Sequence, residues 1–202
     1  MRPLVSTALA AIAALAATAA LAQAPPTVRL RGTIENVDGH TVMAKSAKGD
    51  EIKLNLADKA TVVAVVKASL ADIKPGDFVG SGAMPQPDGT QKAIEVHIFP
   101  EAMRGTGEGF RPWDHGRTST MTNGTVGATV TGVNGPVLTV KYKDGDQKIT
   151  VPPDVPVVRF ETADLSAIKP GAEFTVLAAV KQPDGSFNVG RINVGQNGTS
   201  PP

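Results

Sequence analysis

Leu70-Ala-Asp-Ile-Lys-Pro-Gly-Asp-Phe78, followed by Gln86-Pro-Asp-Gly89, is written a second time as Leu165-Ser-Ala-Ile-Lys-Pro-Gly-Ala-Glu-Phe174 and Gln182-Pro-Asp-Gly185. The copies lie 95 residues apart at the leucines and 96 apart at the phenylalanines, which reads as a duplicated folding unit with one inserted residue. Upstream of each copy the chain alternates apolar and polar residues: Val28 to Val37, then Asp38-Gly39, then Thr41 to Lys45; and Val126 to Val133, then Asn134-Gly135, then Val137 to Lys141. Asp-Gly and Asn-Gly between alternating runs are hairpin signals, because such turns need positive φ.

A third strand follows in each unit, Glu51 to Leu56 and Gln147 to Val151, and then a β-branched run, Thr61 to Val66 and Val155 to Phe160. Pro156 has no N–H for a ladder, which places its strand at a sheet edge. Ser69 and Asp164 suit N-caps and Lys-Pro-Gly stops what they start, so one helical or 3₁₀ turn fits at 69–73 and 164–168. In the closing hairpins Phe78, Gly80, Gly82 and Met84 share a face. They match Phe174, Val176, Ala178 and Val180, all apolar, which sets that face toward the core. The return strands put Ile94, Val96 and Ile98, and Gly190, Ile192 and Val194, on the same side. The fold class expected is all-β: two tandem small barrels from an internal duplication.

This pattern resembles the OB-like domains of unknown function found in exported bacterial proteins, over residues 28–99 and 126–194. Some chains that look like this one have been labelled as components of metal transport. The resemblance implies a fold and transfers no functional residues, since OB-like barrels carry unrelated ligands.

Met1 to Ala22 carries one basic residue, Arg2, then an alanine- and leucine-rich run closing on Ala20-Leu21-Ala22, which reads as a signal peptide with Gln23 as the first mature residue. The expected organisation is a leader at 1–22, a first OB-like domain at 28–99, an ordered Gly-rich aromatic linker at 100–125, a second OB-like domain at 126–195 and a flexible tail at 196–202. No apolar span follows the leader. Without cysteine there is no disulfide framework and no thiolate site. The 20 basic side chains, Arg2 among them, against 19 acidic ones leave no basic excess to capture nucleic acid, and 4% aromatic residues supply few stacking platforms.

Chemistry-bearing residues concentrate in the segment that is not repeated, Pro100 to Gly124, with the chain's one tryptophan. Phe110 and Trp113 read as anchors that pin the linker between the barrels. The alternative is a divalent-metal site, with His97 facing outward beside Glu95 and joined by Glu101, Asp114 and His115 as nitrogen and oxygen ligands. Gly105-Thr-Gly-Glu-Gly109 lacks the Lys-Ser/Thr and helix of a phosphate loop. Arg104, Arg111 and Arg117 flank it and could hold a carboxylate or sulfate. With no Gly-x-Ser-x-Gly elbow and no cysteine, nothing assigns a nucleophile or an acid/base pair. The functional expectation is a periplasmic or secreted, non-enzymatic protein. It would bind an unknown protein or small ligand of the cell envelope, without a cofactor or, in the alternative, as a metal-binding accessory.

Overall fold

A computed structural model describes residues 25–114, 116, 118–132 and 135–202. The leader at 1–22, His115, Arg117 and Asn134 lie outside the described residues. The chain is all-β, with strands β1 (Thr27–Asp38), β2 (Thr41–Ser46), β3 (Glu51–Ala68), β4 (Phe78–Pro85), β5 (Gln91–Ile98), β6 (Gly109–Pro112), β7 (Thr120–Val130), β8 (Val137–Tyr142), β9 (Gly145–Thr150), β10 (Val157–Ala163), β11 (Glu173–Lys181) and β12 (Phe187–Gly195). The two expected turns are single 3₁₀ turns, Leu70–Asp72 and Leu165–Ala167. Ser69 N–H donates to Asp72 Oδ2 at 2.8 Å in the first, and Ser166 N–H donates to Asp164 Oδ1 at 2.8 Å in the second. Among the described residues no helix is long and apolar enough to cross a membrane.

The strands pair across the repeat boundary. β1, β2 and β3 are closed into a five-strand barrel by β11 and β12 from the second repeat, with β1 antiparallel to β11 and β12 parallel to β3. β7, β8 and β9 are closed by β4 and β5 from the first, through β4–β7 and a short parallel β5–β9 pairing. Segment 28–99 therefore gives three strands to one ring and its closing hairpin to the other, and segment 126–195 does the reverse. Each ring has its own apolar interior: Leu54, Phe174, Val176 and Ile192 in the first, Val79, Val96, Leu138 and Ile149 in the second. Full burial of side chains this size contributes about 1.5–3 kcal/mol each.

The rings meet along β3 and β10, which run antiparallel with Val65 opposite Phe160. Those two residues are themselves one repeat apart, so the duplication appears in space as an approximate two-fold axis through this pair. The flanking strands obey it: β12 places Asn193 beside Val63, and β5 places His97 beside Val158. A third apolar cluster of Val63, Val65, Phe78, Phe99, Val158 and Phe160 fills the space between the rings.

Four local expectations are corrected. The third strand and the β-branched run of the first repeat lie in one strand, β3, whose pairing with β12 shifts register between Leu56 and Thr61. In the second repeat Pro152, Pro153 and Pro156 separate β9 from β10. β10 is not an edge strand; it lies between β3 and β5, and Pro156 stands just before it, where its carbonyl accepts from Val96 N–H at 3.0 Å. The first hairpin turns on Gly39 and His40, between the paired Asp38 and Thr41, with positive φ at Gly39 alone. In β4 the core face carries Val79, Ser81 and Ala83, while Phe78, Gly80 and Gly82 face the seam between the rings. The register shows why: Val79 opposite Ile98 occupies the place of Phe174 opposite Val194, so the repeat runs on at 95 residues through the start of this strand, and the inserted residue enters β11 only between Val176 and Ala179.

Candidate functional site at the seam between the rings

A bulge at Ile94 resets the alternation of β5, so Ala93, Val96 and Ile98 enter the second ring while Glu95 and His97 face the seam. Across β4 their partners are Gly82 and Gly80. A Cβ on Gly80 would collide with His97 Nε2, and one on Gly82 would sit 2.9 Å from Glu95 Cγ. The glycines let an imidazole and a carboxylate lie across the strand.

His97 is 5% exposed. It stacks on Phe160 with ring centres 4.9 Å apart and 17° between planes, and meets Phe99 edge-on at 5.1 Å. Its Nδ1 is buried without a hydrogen-bond partner. Burial, reinforced by the positive fields of Arg111 and Arg191, pushes its pKa down to about 3, so the ring is neutral at ordinary pH. Asn123, opposite Gly80 on β7, donates from Nδ2 to the Thr106 carbonyl at 2.9 Å, while its Oδ1 is buried and unpartnered.

The two-fold carries these positions onto the other ring. Arg191 and Asn193 take the places of Glu95 and His97, and Arg31, paired through Thr175 to Asn193, takes that of Asn123. Four arginines thereby gather on the seam. Arg29 lies over the Trp113 ring at 4.1 Å and forms an ion pair with Asp114. Arg111 donates from Nη1 to the Gly107 carbonyl at 2.6 Å, and Arg191 donates from Nε to Asn193 Oδ1 at 3.3 Å. The Nε and Nη2 atoms of Arg31 are buried with no hydrogen-bond partner. Burial lowers the pKa of Arg29, Arg111 and Arg191; Arg31 adds to the effect on Arg29, and Arg29 to that on Arg111.

Arg31 and Glu95 also line a cleft of about 1340 Å³, walled by Pro152 and Pro156 and by residues 196–202. That last segment, expected as a flexible tail, lies against the first ring: Gln196 N–H donates to the Val65 carbonyl at 2.9 Å, and Thr175 Oγ1 to the Pro201 carbonyl at 3.3 Å.

Of the residues expected to form a metal site, the described ones each have other partners or surroundings. His97 lies among phenylalanines, both carboxylate oxygens of Glu101 accept from Arg104 at 2.6 Å, Asp114 pairs with Arg29, and His115 is outside the described residues. Among the described residues no three His, Cys, Asp or Glu side chains are grouped to hold an ion. Of the expected anchors, Trp113 packs under Arg29, whereas Phe110 is 42% exposed. Trp113→Ala is therefore expected to lower stability by about 1–3 kcal/mol through lost packing and cation–π contact. Phe110→Ala should cost less than about 1 kcal/mol. Equilibrium urea denaturation of both variants checks the ranking.

Arg29, Arg31, Arg191, Asn123 and Asn193 were not singled out by motif. For the arginines and Asn193 the signal was parity: in Val28-Arg-Leu-Arg-Gly32 and Gly190-Arg-Ile-Asn-Val194 the polar residues alternate with Leu30, Ile192 and Val194 of the first ring's interior, and the strand exchange turns that polar face inward. Comparison with protein-family models, curated proteins and solved structures finds no match to this chain.

Proposed function

We propose that the chain is an exported, non-enzymatic binding protein of the periplasm or cell envelope. In this reading it is built from two OB-like units that have exchanged their closing hairpins, and its ligand enters the cleft at Arg31. The observation that carries the reading is the buried edge of that guanidinium, two donor atoms without an acceptor, in a residue that lines a cleft large enough for a small molecule. An unmade buried donor costs about 1–3 kcal/mol, a cost a ligand would remove. A non-enzymatic role is favoured by the surroundings of the histidines: His97 packs on aromatic rings, and His40, 3.6 Å from Asp58, sits on an exposed hairpin tip.

Thermal-shift titration against a panel of anionic, neutral and cationic small molecules and short peptides tests the reading. Lys67 is exposed and lines the cleft, so Lys67→Trp is expected to abolish any ligand-induced rise in Tm while leaving the unliganded Tm within a few degrees. A panel without one cleft-dependent binder, or shifts that persist in Lys67→Trp, would overturn it.

A further inference from the structure

We infer that the cleft ligand carries an oxyanion, a carboxylate, phosphate or sulfate, received by the Nε–Nη2 edge of Arg31. The inference rests on the binding-protein reading above and names its ligand class.

The argument begins with the geometry of guanidinium. Nε and Nη2 present parallel N–H bonds along one edge, the fork that matches two oxygens of a carboxylate, phosphate or sulfate. In Arg31 these are the two atoms left buried and unpartnered. Arg31 stands in the row Arg31, Thr175, Asn193, whose other two members are buried polar side chains at 1% and 3% exposure. It is held on a barrel strand, not on a loop.

The surroundings carry both signs: Arg29, on the same face of β1, Arg111 and Arg191 stand on the seam with Glu95 and Asp114, and the cleft lining sets Arg31 and Lys67 beside Glu95, Asp154 and Glu173. The unmatched fork of Arg31, not a net positive field, is what selects an oxyanion. Arg104 supplies the contrast: it too is an arginine near the linker, yet its guanidinium is matched by Glu101 through two hydrogen bonds at the surface.

The test uses the full chain in phosphate-free buffer. Sodium phosphate, sodium sulfate and trisodium citrate are titrated against sodium chloride at matched ionic strength, with Tm and calorimetric heat as readouts. At least one of the three is expected to raise Tm saturably beyond the chloride control. Arg31→Lys, which keeps the charge and loses the fork, should bind it at least tenfold more weakly. Arg31→Met should remove the effect, and Arg104→Met should leave it intact. Phosphate and sulfate without citrate would assign a tetrahedral anion, and citrate alone a carboxylate. Three anions indistinguishable from chloride, or full binding by Arg31→Lys, would overturn the inference. Should a neutral compound still bind in a manner lost in Lys67→Trp, the cleft reading stands and only the oxyanion falls.

Discussion

Residues 25–100 and 124–196, produced separately, are expected not to show cooperative unfolding transitions of their own, whereas the full chain unfolds as one unit and a mixture of the fragments recovers ordered β-structure. The duplication suggests the opposite, since β4 and β5 are the repeat equivalents of β11 and β12 and could in outline close their own ring. The cores decide against it. If β4 and β5 replaced β11 and β12 in the first barrel, Val79 would stand for Phe174, Ser81 for Val176 and Ala93 for Val189. Large-to-small losses in a core cost about 2–5 kcal/mol for changes such as Leu→Ala, and units near 70 residues have only a few kcal/mol to lose. The converse exchange would force Phe174 and Val176 into spaces shaped for Val79 and Ser81, and overpacking also destabilises. β3 adds a geometric term, because one strand serves both the first barrel and the pairing with β10. Circular dichroism melts of each fragment, alone and mixed, check the expectation. Two cooperative single-fragment melts would show that the hairpins close at home and that the exchange is optional.

Local chemistry was legible in the sequence and long-range pairing was not. Gly39 and the Ser69 and Asp164 turns follow from short-range rules, since each depends on residues within a turn or two of one another, and the 95-residue repeat is visible as sequence identity. Which ring a hairpin closes depends on contacts between residues far apart in the sequence, such as Arg31 with Thr175 and Lys92 with Thr150, and both partners of a duplicated sequence satisfy the alternation equally well. The misplaced face of β4 has the same origin. Aligning the two phenylalanines by identity shifts the first part of that strand by a residue, and with a side-chain period of two the shift inverts the residues from Phe78 to Gly82. Phe78, Gly80 and Gly82 were thereby assigned to a core when they build the seam. The metal expectation rests on the same reading of parity: an outward His97 beside acids reads as a ligand only if outward means solvent, and here it means the space between two rings.

Stability is expected to fall as pH drops from about 6.5 toward 3, with His97 responsible for most of the change above pH 4.5. Its folded pKa, about 3, lies below the ordinary value of 6.5, so the native state holds the neutral ring and the unfolded chain takes up the proton first. The contribution of the neutral ring is complete above pH 6.5 and is lost as the pH falls. One pKa unit corresponds to about 1.36 kcal/mol, so the wild type should lose roughly 2–3 kcal/mol between pH 7 and 4.5. Carboxylates such as Asp72, Asp88, Asp164 and Asp184 have pKa values lowered by hydrogen bonds, and their contributions are lost only below this window, as the pH falls through their already low pKa values. Two substitutions isolate the histidine. His97→Phe keeps an aromatic ring against Phe160 and removes the unpartnered Nδ1, and His97→Asn introduces the residue found at the two-fold-related position on β12. Both should flatten the profile between pH 7 and 4.5, whatever each costs in absolute stability, because neither can take up a proton there. A wild-type slope retained in both variants would mean that another group titrates in this range, and that the ring pinned between Phe160 and Phe99 is not what makes the fold acid-sensitive.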